Sequence, residues 1–333
     1  MPDAASIIEM ANAFCASQIL FASSDLGIFA FLAGSPDSTL AEVMDACDLN
    51  ARAGRLLLDA CVAVGLLTKQ AGRYRNGEAA ERFLVPGSRT DLSAAIRYNR
   101  DVYQAWGKLP QFARSGKPVE RPEAHLGDDP DRTREFVLAM HSRALGMGRA
   151  VVSRLKLEGR RKLLDVGGGG GTYSALIARR FPDISCTVID LPGVLAVAGE
   201  LLAEQGVSGR VKTLPGDLHS TQLPKGHDAA ILFGVLHQES PDVISDLLRR
   251  TFEALDPGGI VYVMDMMTDA THASPKFSAL FAVNMALTTH HGWVFSDEEL
   301  RTWLTVAGFR DVAVSPLEPP MPHWLVEACK PCP

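Results

Sequence analysis

"LLDVGGGGGTYSALIARRFP", from Leu163 to Pro182, decides how this chain is read. A short apolar run closed by glycine reads as a buried strand. Behind the glycines, "TYSALIARRF" carries apolar residues at helical spacing. Strand, glycine turn and helix open a doubly wound sheet, and ligands of such sheets bind at the carboxyl ends of the strands. Dinucleotide sites need G-x-G-x-x-G/A. Registers starting at Gly167, Gly168 or Gly169 end on Thr172, Tyr173 or Ser174, so none fits. No lysine follows, so a phosphate loop of the Walker kind fails as well. A G-x-G-x-G spacing fits as Gly167, Gly169 and Gly171.

Outward from that stretch the texture repeats. "SCTVID" (185–190), "VKTLPGD" (211–217), "DAAILFGVL" (228–236) and "GIVYVMDMM" (259–267) read as strands. Helices "PGVLAVAGELLAEQG" and "PDVISDLLRRTFEAL" lie between them, the second stopped by "DPGG". The expected class is α/β, a Rossmann-like, mostly parallel sheet. "FRDVAVSPL" and "HWLVEACK", separated by a proline-rich turn, read as an antiparallel pair at one edge.

Residues 1–110 read as mainly helical. "STLAEVMDACD" opens on a Ser/Thr cap, "NARAGRLLLDACVAVGLL" is amphipathic and "TKQAGRYRNG" is hairpin-like, which together make a winged-helix pattern. Residues 111–160 form a bridge with a loop at "ARSGKPVERPEAHLGDDPD". Its helix, "RTREFVLAMHSRALGMGRAVVSRL", carries Phe136, Met140 and Met147 along one face, as domain core or as pocket lining. The domain of residues 161–333 follows.

The chain has 333 residues, 47% hydrophobic and 22% charged, an ordinary globular balance. Net charge is −6. Residues 1–110 hold 10 Lys+Arg against 12 Asp+Glu, and the second helix offers only Arg52 and Arg55. Nucleic-acid binding needs a basic face, so a winged-helix transcription factor is disfavoured and packing against a second copy is expected instead. The first 50 residues contain no Lys or Arg, which argues against secretory and mitochondrial leaders. No apolar run is read as reaching the roughly 20 residues of a bilayer span. The expectation is a cytoplasmic protein with no membrane partner. Cys329 and Cys332 form a C-x-x-C without the context of a redox or zinc site.

Three acids sit beside the strand ends. Asp190 ends the second strand, where a carboxylate can bind ribose hydroxyls, as also happens in nicotinamide sites. Asp217 is read as ending the third, able to accept from an adenine amino group. Asp165 precedes the glycines and is read as fixing their loop. This set suits a nucleoside with a cationic sulfonium better than a pyrophosphate. His237 falls just past the fourth strand, and a histidine is a suitable base near neutral pH. Its ring needs a partner to fix the tautomer, and Asp265 ends the neighbouring fifth strand. His290 and His291 are adjacent and share no face, so no metal site is expected.

With these pieces in place the chain resembles the S-adenosylmethionine-dependent O-methyltransferases of the caffeic acid and hydroxyindole (acetylserotonin) type. The resemblance runs over nearly the whole chain and rests on "LLDVGGGGGTYSALIARRFP", "VIDLPGV", "PGDL", "ILFGVLHQESPD" and "ALDPGGIVYVMD". It implies S-adenosyl-L-methionine as cofactor, S-adenosyl-L-homocysteine as product, no metal, and a homodimer formed through the winged-helix half. It implies methyl transfer to a hydroxyl of an aromatic or polyketide-like small molecule, with His237 as general base oriented by Asp265. It assigns Asp165, Gly167, Gly169, Asp190, Leu191, Asp217, Leu218 and Phe233 to the cofactor, and Phe136, Met140 and Asn284 to the substrate, with Trp106 nearby. The chain departs from the family pattern twice. Gln238 stands where an Asp often follows the base, and Val294 stands where plant members carry a second orienting Glu. An acceptor sulfur or carbon, or a relative that binds the cofactor without methyl transfer, stays open at this point.

Overall fold

Seven strands, in the spatial order Val211–Pro215, Ser185–Asp190, Lys162–Val166, His227–Phe233, Leu255–Asp265, Trp324–Cys329 and Arg310–Pro316, form the main sheet of the computed structural model, which describes residues 3–88, 90–121, 123, 127–317 and 322–332. The chain divides into two units, Met1–Asp101 and Val102–Pro333. The proline-rich turn at 318–322 falls outside the described residues except for its last position, as does part of the loop at 113–131.

The first unit begins with α1 (Ala4–Asp25), α2 (Ile28–Gly34), β1 (Ser38–Thr39), α3 (Leu40–Ala46) and α4 (Ala51–Ala63). A hairpin follows, β2 (Leu67–Gln70) and β3 (Arg73–Asn76), then α5 (Glu78–Phe83). The helix α6 (Ser93–Gly107) crosses the boundary. Thr39 and Glu42 close a capping box on α3, and Asn50 caps α4, satisfying amides the helices cannot. A helix pair followed by a wing of order β1-β3-β2 is the winged-helix arrangement read in the sequence. Ile28, Phe29, Leu32, Val43, Leu58, Leu67 and Tyr74 form its core.

One expectation is corrected in this unit. The 22-residue α1 is long and apolar enough, by length and composition, to cross a membrane. Small Ala and Ser residues interleave its Ile, Met and Phe, which hides the run when only large side chains are weighed. Ile7, Ile8, Met10 and Phe14 are all exposed in this single copy.

The second unit continues with α7 (Leu109–Ser115) and α8 (Pro130–Ser153). Alternation then sets in: β4 (Lys162–Val166), α9 (Thr172–Arg180), β5 (Ser185–Asp190), α10 (Pro192–Glu204), β6 (Val211–Pro215) and β7 (His227–Phe233). A 3-10 turn (Leu236–Gln238), α11 (Pro241–Ala254), β8 (Leu255–Asp265), α12 (Lys276–Thr288), α13 (Asp297–Ala307), β9 (Arg310–Pro316) and β10 (Trp324–Cys329) complete it. Strands β4 to β8 pair in parallel, and β10 joins β8 and β9 antiparallel. From β4 the chain winds out to β6, then returns to place β7 on the other side of β4. That reversal leaves a crevice between the carboxyl ends of β4 and β7. "DPGG", read as a turn, lies inside β8: Gly258 N–H donates to the Lys330 carbonyl at 3.0 Å and Lys330 N–H to the Gly259 carbonyl at 2.8 Å. Helix α11 stops at Ala254 as read, and the turn signal appears as a break in the β7–β8 register with Gly258 at φ +76°.

Helix α8 packs on α9 and α10 through the buried Val137, Ala144, Gly148 and Val151. A Cβ at Gly148 would fall inside the Leu176 methyl and 3.5 Å from the Tyr173 ring. Gly148→Val therefore overpacks this seam and lowers unfolding free energy by about 1–3 kcal/mol in urea titration. An unchanged midpoint would contradict the close approach of the two helices.

Candidate active site

The glycine turn is crowded mostly by the protein itself. A Cβ at Gly167 (φ +69°) would meet Val235 at 2.6 Å and Leu218 at 3.2 Å. At Gly168 it would meet the Asp165 carboxyl carbon at 2.6 Å, at Gly170 Leu201 at 3.0 Å, and at Gly171 Leu202 at 3.1 Å. Gly169 alone has nothing within 4 Å of that position, and its φ of +55° disfavours any side chain. Four glycines are thus explained by internal packing, and one faces open space.

The acids are bound into this turn unequally. Asp165 is buried, and its Oδ2 accepts the Ser174 hydroxyl at 2.6 Å. Burial pushes its carboxyl up to about 7, with the nearby Asp190 adding to the rise and the Ser174 bond opposing it. Asp190 Oδ2 accepts Gly169 N–H at 2.7 Å and Oδ1 accepts Leu191 N–H at 2.8 Å. Burial raises this carboxyl too, against those two amides.

Asp217 is not at a strand end. Strand β6 stops at Pro215, and Asp217 lies exposed in the next turn, its Oδ1 accepting His219 N–H at 2.8 Å. That local side-chain bond, with Asp217 N–H donating to Thr221 Oγ1 at 2.9 Å, ends the strand early. Leu218 reaches Gly167, Leu191 packs on Val137, Val194, Val197 and Leu201, and Phe233 stands edge-on to Tyr173 at 5.0 Å.

His237 sits in the 3-10 turn just past β7 and is buried. Its Nδ1–H donates to Asp265 Oδ1 at 2.6 Å. The same carboxylate accepts His237 N–H at 3.3 Å and Met266 N–H at 2.8 Å. A carboxylate can only accept, so Nδ1 carries a proton and Nε2 is the ring nitrogen left to meet a ligand. The turn is pinned further, since Trp293 N–H donates to the His237 carbonyl at 2.9 Å. Val294, next in line, is buried and brings no carboxylate, and Gln238 Nε2 reaches only the Gly234 carbonyl at 3.5 Å.

Phe136, Met140 and Met147 lie partly buried along one face of α8. Asn284 is buried on α12, and its Oδ1 already accepts Trp106 Nε1–H at 2.9 Å. Phe281, one turn earlier on α12, stands edge-on to His237 at 5.1 Å between ring centroids. Sequence reasoning missed Phe281, Tyr173, Trp293, Arg143 and His323. The period of α12 would have joined Phe281 to Asn284, and Arg143 falls on the Phe136–Met140–Met147 stripe. Nothing local marks His323. His290 pairs with Glu123 at 2.6 Å. Among the described residues no group of three or more His, Cys, Asp or Glu is placed to hold a metal.

Asp165 gives a pH signature. Its carboxyl moves from an ordinary 3.8 to about 7 on folding. The folded state holds a proton that the unfolded state has released, so stability is full below 3.8 and falls as pH rises to about 7. Asp165→Asn lacks this loss. Its melting temperature relative to wild type should climb from pH 4 to pH 7 and level off above. A difference constant across that range would contradict the raised carboxyl.

Residues 111–310 match the O-methyltransferase domain family and residues 8–86 match the O-methyltransferase dimerisation domain. The chain is 30% identical to 3-hydroxy-5-methyl-1-naphthoate 3-O-methyltransferase of Streptomyces sahachiroi, over 97% of this chain and 94% of that protein. It is also 30% identical to N,N-dimethyltransferase OxyT of Streptomyces rimosus, over 98% and 97% respectively. The crystal structure of human N-acetylserotonin methyltransferase with S-adenosylmethionine superposes with a TM-score of 0.89 at 28% identity, covering 99% of each chain. By these matches the chain belongs to the S-adenosylmethionine-dependent O-methyltransferase family.

Proposed function

We propose that this protein transfers a methyl group to a hydroxyl of an aromatic or polyketide-like small molecule, with His237 as general base and Asp265 as its orienting partner. The observation that carries the reading is the 2.6 Å bond from Nδ1–H to Asp265, which leaves Nε2 basic at the carboxyl end of the sheet. Bound S-adenosylmethionine supplies an electrophilic methyl on a cationic sulfonium. Residues of the site fit that cofactor: Gly169 leaves an open space a Cβ would fill, and Asp190 keeps unused lone pairs for ribose hydroxyls. Asp217, exposed in its turn, is available to an adenine amino group. Leu191, Leu218 and Phe233 supply apolar walls.

The chain's own work is to orient the acceptor and take its proton. Nε2 of His237 removes the hydroxyl proton as oxygen attacks, and Asp265 steadies the imidazolium that forms. Phe136, Met140 and Phe281 offer apolar and aromatic surface to a flat acceptor, and Asn284 holds Trp106 in place. The reading requires no metal, because the imidazole performs the deprotonation. The relatives named for a hydroxynaphthoate and for acetylserotonin support an aromatic hydroxyl.

The same reading makes the protein a homodimer through its first unit. The dimerisation-domain match and the exposed Ile7, Ile8, Met10 and Phe14 of α1 support it. Sedimentation at micromolar concentration should give a dimer, and Phe14→Glu should shift it toward monomer. A monomeric wild type would contradict this part.

Methyl-labelled S-adenosylmethionine, incubated with the protein and a small-molecule extract of its host, tests the chemistry. Mass spectrometry should find the label on oxygen, and His237→Ala should cut transfer by about a hundredfold or more. Label on nitrogen, sulfur or carbon would overturn the oxygen acceptor. Transfer that survives in His237→Ala would overturn the base.

A further inference from the structure

Arg249 and Arg250 are neighbours on α11 with opposite surroundings. Arg249 has a side chain 53% exposed and pairs with Asp246 at 2.5 Å and Glu253 at 2.6 Å. Exposed ion pairs of this kind contribute little. Arg250 is turned inward, its side chain 15% exposed. Its Nε–H donates to Asp246 Oδ2 at 2.7 Å, Nη1–H donates to the Thr221 carbonyl at 3.0 Å, and Nη2–H donates to the Leu218 carbonyl. Asp246 fixes one edge of the guanidinium fork. The other donors close on main-chain oxygens of the turn that carries Asp217.

That turn lies beyond the ladder, because β6 has ended at Pro215. Its internal bonds give it a shape. The Asp217 carbonyl accepts Ser220 N–H at 3.1 Å and Thr221 N–H at 2.8 Å, and Thr221 Oγ1 accepts Asp217 N–H at 2.9 Å. Such local bonds do not decide where the turn stands against the rest of the sheet. Gly216 N–H, donating to the Asp190 carbonyl at 2.9 Å, anchors its entry. Arg250 anchors the far side. The bridge from His219 Nε2 to Glu239 at 3.0 Å uses an exposed imidazole and constrains the turn weakly. Hydrogen bonds from an ionised, planar donor are stronger and more directional.

We infer that Arg250 is a positioning residue for adenine recognition. Held by Asp246, it sets where the Asp217 carboxylate stands, and so how strongly the enzyme prefers a base that carries an amino group. The inference rests on the reading of Asp217 as the partner of that amino group. Arg250 acts through the turn and not on the ligand.

Calorimetry would compare S-adenosylhomocysteine with S-inosylhomocysteine, in which a carbonyl acceptor replaces the amino donor of the base. Wild type should bind the adenosyl compound about tenfold to a hundredfold more tightly, the range of a hydrogen bond to a charged group. Asp217→Ala should lose that preference. Arg250→Gln and Arg250→Met should lose most of it by weakening the adenosyl compound, with the inosyl compound bound nearly as in wild type. Arg249→Gln should keep the wild-type ratio. Circular dichroism and thermal melts identify which variants are folded, and either folded Arg250 variant decides. A purely structural arginine would weaken both ligands by one factor. That result, an unchanged ratio, or an equal loss in Arg249→Gln would overturn the inference while Asp217→Ala still upholds the reading of Asp217. Equal binding of both compounds by wild type, or a preference that survives in Asp217→Ala, would overturn that reading and the inference with it.

Discussion

The parallel pairing of β4 with β7, with Asp165 opposite Ile231, brings two turns from distant parts of the sequence to one end of the sheet. One is the glycine turn, the other the turn that holds His237. They touch: Val235 closes on Gly167 at the distance where any Cβ would collide. A register slip would exchange the inward and outward residues of either strand, bury the wrong side chains and separate the turns. Helix α8 then covers the glycine turn, with Val137 3.4 Å from the position of a Gly170 Cβ.

Asp265 is the second fixed point. A buried carboxylate costs free energy unless donors meet it. Three do so here, the ring and backbone N–H of His237 and the backbone N–H of Met266. The arrangement makes the imidazole's orientation a consequence of satisfying the acid, so the ring is held in place without a second carboxylate on the 292–295 segment. That segment contributes instead through the backbone of Trp293, which ties down the His237 carbonyl. The departure at Val294 is thereby compatible with an oriented ring at His237.

Much of this was legible in the sequence, because strand and helix periods are local. The sheet, its edge pair, the winged-helix unit and the His237–Asp265 neighbourhood all follow from such signals. The reasons for the glycines were not legible, since their neighbours Val235, Leu218, Leu201 and Leu202 arrive from later elements. Asp217 was misplaced because a side-chain turn, invisible to strand periodicity, stops β6 at Pro215. "DPGG" stops α11 at Ala254 as read, but its pairing with Lys330, about 70 residues away, could not be seen locally. His323 escaped for a similar reason: its Nδ1 is buried without a partner, a property of the folded surroundings and not of a motif.

The central claim is that the open space at Gly169 and the free Nε2 of His237 face one another across a single cleft. A crystal structure with S-adenosylhomocysteine and a hydroxyarene tests this most directly. The account predicts ribose hydroxyls on Asp190, the amino-acid part against Gly169, and the acceptor oxygen about 2.6–3.2 Å from Nε2. Cofactor product bound away from Gly169, or an acceptor oxygen pointing away from His237, would contradict it.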